Sequence, residues 1–149
     1  MPPAILHANK IFISNGGADS SLFPVPFSGE ATRPYSEFYA ALAANRSYKL
    51  LGDPSQVDLS LEISLTSFGI TYLNSAPSGY PQDPIAMFRL KIYDSANHKL
   101  WTMTQPVDFA LLQKNRDHNF DDAITALLLQ FLQVAGKAPA SAAPAAEAH

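Results

Sequence analysis

The 149-residue chain contains no cysteine. That single absence excludes thiol nucleophiles, disulfides, iron–sulfur clusters and thiolate zinc sites together. It also removes the acceptor for the thioether-linked lipid of a bacterial lipoprotein from the chain as written. Charge is scarce: charged residues make up 15%, Lys and Arg total 10, and the net charge is -3. A nucleic-acid binder neutralises phosphates with clustered cations, and here the cations are few and scattered, so nucleic acid is not an expected partner. No apolar run approaches the ~20 residues that a spanning helix needs. Histidine is also sparse, with no His-x-His or His-x-x-x-His pair, which argues against a zinc site. Neither metal nor cofactor is expected. Residues Met1 to His7 lack a basic region followed by an apolar one, so they do not read as a leader. The expected location is periplasmic or secreted if a leader has been removed, and cytoplasmic otherwise.

What is present is a core. Apolar residues reach 47%, enough for one α+β domain and too many for a disordered chain. Residues 1–9 read as a loose lead, 10–134 as the single domain, and 135–149 as a disordered Ala/Pro tail. Lys10–Ser14 is β-branched and aromatic and runs into Asn15-Gly16-Gly17, so it reads as a buried strand stopped by a turn. Pro34 opens a helix to Asn45, with Tyr35, Phe38, Tyr39 and Leu42 at helical spacing. Tyr48–Leu51 is a short strand before Gly52-Asp53-Pro54.

Val57–Thr66 carries the clearest pattern. Val57, Leu59, Leu61, Ile63 and Leu65 alternate with Asp58, Ser60, Glu62, Ser64 and Thr66, giving one buried and one wet face. Ala86–Tyr93 repeats that alternation, Asp94–His98 has hairpin composition, and Leu100–Gln105 returns before Pro106. Asp108–Arg116 reads as irregular. Asn119 then looks like a helix cap, with Asp121 and Asp122 in the first turn and Ile124, Leu127, Leu128 and Phe131 as the core stripe. Leu129 and Leu132 widen that stripe, and Gly136 ends the helix. The order is β-α-β-β-β-β-α. It predicts a two-layer α+β sandwich, with a mainly antiparallel sheet and both helices on one face. The wet face would carry Asp58 and Glu62 against Arg89 and Lys91.

Reactive groups are few. Asp117-His118-Asn119-Phe120-Asp121-Asp122 could form a metal or acid/base site around His118, but a helix start needs the same residues. Asp19 and the Asn15–Gly17 turn follow a strand as phosphate loops do, yet no helix begins there to meet an anion. Ser20 and Ser21 lack a Gly-x-Ser-x-Gly elbow. The two long loops instead concentrate aromatics. Phe23, Phe27, Tyr72 and Tyr80 are the candidate surface-forming binding residues, with the alternative that Phe23 and Phe27 tuck their loop onto the sheet.

Tyr48–Leu61, with its Asp53-Pro54 and Asp58-Leu59-Ser60-Leu61, resembles small bacterial cell-envelope domains, as does the hairpin Ile92–Trp101. Similar layouts occur in curli-secretion and penicillin-binding-protein-activator lipoproteins. Ile11–Ser20, with Phe23–Gly29, is similar to a group of small secreted bacterial proteins. The resemblance implies an α/β sandwich, an exported location and no catalytic residues. The expected function is therefore a non-enzymatic binding or assembly module of the envelope, with a protein partner or a second copy. The alternative is a small-ligand or metal-dependent enzyme or receptor built on Asp19, His118, Asp121 or Asp122.

Overall fold

A computed structural model describes residues 2–18, 26–67, 86–108 and 110–137. The elements are α1 (Pro3–Leu6), β1 (Lys10–Ala18), α2 (Arg33–Asn45), β2 (Lys49–Leu50), β3 (Leu59–Ser67), β4 (Ala86–Asp94), β5 (Lys99–Val107) and α3 (Gln113–Val134). A 3-10 turn at Pro54–Gln56 links β2 to β3. The five strands form one sheet in the order β2-β1-β3-β4-β5.

The fold is the expected α+β arrangement, but the sheet is mixed. β1 runs parallel to both β2 and β3, whereas β3–β4 and β4–β5 are antiparallel. The cause is β2, which is only two residues long. It lies beside the start of β1, and the chain then crosses the foot of β1 to begin β3 on its other side. Asp58 secures that crossing. It does not join the wet face of β3 as the alternation suggested. Its Oδ2 accepts the N–H groups of Asn9 and Lys10 at 2.9 and 3.0 Å, while its own N–H donates to the Lys10 carbonyl. Those backbone bonds hold the Asp58 carboxyl below its usual range.

Alternation decides the inner face. Leu59, Leu61, Ile63 and Leu65 are buried, the last three opposite Ile92, Leu90 and Phe88 on β4. Each such side chain contributes roughly 1.5–3 kcal/mol relative to exposure. Phe38 and Leu42 of α2, and Phe120, Ile124, Leu127 and Phe131 of α3, cover this face. α2 and α3 therefore sit on one side of the sheet, and only the 3-10 turn at Pro54–Gln56 reaches the other among the described elements, beside Phe12 and Ser60.

β1 does not stop at Asn15. It continues through a bulge between Asn15 and Ala18, where the Asn15 side chain accepts the Gly17 N–H. Gly16 permits the close approach there, since a Cβ would lie 2.9 Å from the Ile63 carbonyl oxygen and from Glu62 Cγ. The N-terminal lead is not loose: Ile5 and Ala8 are fully buried. α3 begins at Gln113, six residues before Asn119, with Leu112 in the cap position. Asn119 is thus interior, and its amide donates to the Asp108 carbonyl. Among the described residues, no side chain caps this end of the helix; Arg116 Nη1 instead donates back to the carbonyls of Ala110 and Leu111 at 2.6 and 2.8 Å, tying the preceding segment to the helix. Gly136, at φ 72°, ends the helix as predicted. Leu132 is buried, but Leu129 is exposed.

Candidate functional site

Two features could do work: a polar hub where the 26–32 segment meets the helices, and the uncovered face of the sheet.

Arg33, the first residue of α2, is the centre of the hub. Its Nη1 donates to the Ser28 carbonyl at 2.7 Å, and its Nη2 donates to Asp121 at 3.1 Å. Nε pairs with Glu37 one turn along, and Asp117 lies 3.4 Å from Nη1. The guanidinium stacks 4.9 Å above the Phe120 ring. Ser28 completes the ring of contacts, donating its N–H and hydroxyl to Asp117 at 2.7 and 2.8 Å. Burial alone would raise the Asp117 carboxyl. The Ser28 hydroxyl and N–H, the Gln113 amide and the Arg33 charge outweigh it and hold that carboxyl below its usual range. Burial raises Glu37, partly opposed by Arg33.

Every charged group in this hub faces a partner inside the hub. It fastens a loop to two helices and offers no unengaged nucleophile or base. It also explains why Asp117 and Asp121 sit four residues apart: that spacing puts both on the α3 face toward Arg33. The sequence signal was available, because Arg33 beside Pro34 is the lone cation of the 11–45 segment.

Beneath the hub lies Phe27. It is fully buried, with its ring 4.9 Å from Phe120, which in turn meets Phe88 at 5.3 Å. Phe27 is therefore not a surface-forming residue. Its loop tucks inward because a phenyl ring gains more from Phe120 and Phe88 than from water. Phe23, Tyr72, Tyr80 and Asp19 lie outside the described residues, as do residues 68–85 and 138–149.

The His118 constellation does not assemble as read. His118 Nε2 lies 3.1 Å from Asp122, and both side chains are largely exposed. Asp117 turns to the opposite side, toward Ser28 and Arg33. Among the described residues, no three His, Asp or Glu side chains converge in a way that could hold a metal ion.

The open sheet face carries a different constellation. Three strands place Phe12, Ser60 and Tyr93 in one lateral row, since Phe12 is opposite Ser60 and Ser60 is opposite Tyr93. The next row is Ser14, Glu62 and Lys91, with Lys91 Nζ 4.0 Å from the Glu62 carboxylate. Of the charges expected on this face, Asp58 and Glu62 against Arg89 and Lys91, this is the pair that forms. Between these rows lies a groove of about 320 Å³, closed at its foot by Pro54 and Asn97. Phe12 and Tyr93 are half-buried and form its walls. The sequence held the signal, because both residues occupy wet-face positions of alternating strands, where aromatics are out of place.

These features define a two-layer α+β sandwich with one bare sheet face. No family model matches the sequence, and no curated protein matches it. Among solved structures, the chain is similar to a DUF4136 family protein from Bacteroides thetaiotaomicron, with a TM-score of 0.53, 16% identity and 91% of each chain covered. A looser likeness, at TM-score 0.44 and 12% identity over 89% of this chain and 88% of the other, is to uncharacterized lipoprotein B from Nitrosomonas europaea. Neither is described as a curli-secretion or penicillin-binding-protein-activator protein. The first likeness, at its identity, speaks to the fold.

Proposed function

We propose that this protein is a non-enzymatic binding or assembly module of the bacterial cell envelope, and that it binds through the bare face of its sheet. The observation that carries the reading is the division of labour between the two faces. The best-built polar cluster, around Arg33, is consumed internally. The groove walled by Phe12 and Tyr93 keeps two aromatic rings half-exposed beside Ser14, Ser60, Glu62 and Asn97. Two half-exposed aromatic rings lining one groove offer a ligand a surface to stack on.

The envelope half of the proposal rests on the sequence resemblance of Tyr48–Leu61 and Ile92–Trp101. The sandwich fold shared with the DUF4136 protein is compatible with it. The test uses the full chain expressed in a bacterial host, with a photo-reactive phenylalanine placed at Met87 on the bare face or at Lys114 on α3. Adducts formed from Met87, in the envelope fraction and not from Lys114, are the expected result. Adducts from Lys114 alone, or a protein confined to the cytosolic fraction, would overturn the proposal.

A further inference from the structure

We infer that the slot between Phe12 and Tyr93 takes a neutral sugar ring of a glycan. This rests on the bare-face reading above and names its ligand class.

Spacing comes first. Phe12 and Tyr93 stand two strands apart with Ser60 between them. Neighbouring strands lie about 4.8 Å apart, so the two rings rise from backbones roughly 9.6 Å apart. Ser60 is too small to fill the gap and forms a floor. A groove lined by two aromatic side chains suits a sugar ring, whose C–H groups pack on aromatic faces.

Hydrogen-bonding chemistry comes second. Ser60, Tyr93 and Asn97 line the slot, and no intramolecular hydrogen bond engages their side chains among the described residues. Ser14 bonds the Leu61 carbonyl only at 3.4 Å. Hydroxyls and a carboxamide both donate and accept, which is what a ring of hydroxyls requires of its surroundings. Among the described residues, Glu62 is the one charged side chain that lines the groove, and it faces Lys91 at 4.0 Å. A cation would find only Glu62, already facing Lys91. The charged pair therefore cancels, and the site selects a neutral, hydroxyl-rich ligand with two apolar faces. The groove of about 320 Å³ holds one such ring with its linkages open to solvent.

The test is a titration of the isotope-labelled full chain, followed by NMR, with chitotriose, maltotriose and a proline-rich peptide as separate probes. One of the two sugars is expected to shift the resonances of Phe12, Ser60 and Tyr93. Phe12→Ala and Tyr93→Ala should each weaken that binding about tenfold, as the loss of one stacking partner does. Lys114→Ala, on α3 and away from the slot, should leave it unchanged. Ser60→Trp fills the floor and should abolish binding even if an alanine variant fails to fold. Shifts at the slot with the peptide alone would overturn the sugar assignment while leaving the bare-face reading intact. Shifts confined to the helix side would overturn both. No shift with either sugar at millimolar concentration would overturn the assignment.

Discussion

Replacing Phe27 with alanine separates a buried anchor from a surface aromatic more sharply than any other single change. The ring is fully buried and lies 4.9 Å from Phe120, which also carries the Arg33 guanidinium on its face. Truncating a buried phenylalanine costs about 3–5 kcal/mol, from lost transfer energy and from the cavity left behind. Surface substitutions usually stay within about 0.5 kcal/mol. The site is also coupled to its surroundings. Ser28, the next residue, ties the loop to Asp117, so loosening Phe27 should weaken the Ser28–Asp117–Arg33 bonds as well. Urea unfolding measures this, read as a change in midpoint at constant slope. With about 4 kcal/mol lost, Tm should fall by roughly 10–20 °C for a domain of this size. A double-mutant cycle of Phe27→Ala with Arg33→Met should show a coupling of at least about 0.5 kcal/mol. A Phe27→Ala loss under about 1 kcal/mol would refute the buried-anchor account and restore Phe27 to the surface.

Acid should weaken the hub in a defined direction. Asp117 is depressed in the folded chain, so its contribution is present above the unfolded carboxylate value of about 3.9 and is lost as pH falls through the folded value. Tm measured from pH 6 downward should drop less steeply in Asp117→Asn than in the parent, and an unchanged slope would contradict this. Gly16→Ala should destabilise by about 1–3 kcal/mol in urea unfolding, because the new methyl meets the Ile63 carbonyl oxygen at 2.9 Å. Tyr48→Phe should be neutral or slightly stabilising by calorimetry. Its hydroxyl is buried without a partner, and burial pushes its pKa up to about 12. His118→Ala should change stability by no more than about 0.5 kcal/mol, as befits an exposed pair one turn apart. A metal-induced thermal shift that this variant abolished would revive the metal reading.

The parts of the fold legible in the sequence are those where one periodicity acts alone. β3 and β4 declared themselves because alternate residues face oil and water, and the opposite charges of their wet faces were legible before the register that brings Glu62 to Lys91. α2 was legible from Pro34 and the Phe38–Leu42 stripe. The misreadings share one cause: a local signal whose partner lies far along the chain. Asn119, Asp121 and Asp122 look like a helix start, but Asp121 answers Arg33, 88 residues away. Asp58 looks like a strand residue but binds the N–H groups of Asn9 and Lys10, 49 and 48 residues away. β2 was legible as a short strand at Tyr48–Leu51, but the parallel pairing of β1 with β3 was hidden because chain order does not say that β1 lies between β2 and β3. The candidate groove escaped for a similar reason. Phe12, Ser60 and Tyr93 sit on three strands, and only the sheet order brings them into one row.

The claim that binding falls on the bare sheet face is tested most directly by hydroxyl-radical footprinting of the full chain, with and without envelope extract. The extract should suppress oxidation of Phe12, Met87 and Tyr93 while Trp101 and Leu111, exposed elsewhere on the molecule, keep their reactivity. Suppression at Trp101 and Leu111 with Phe12 and Tyr93 untouched would contradict the claim.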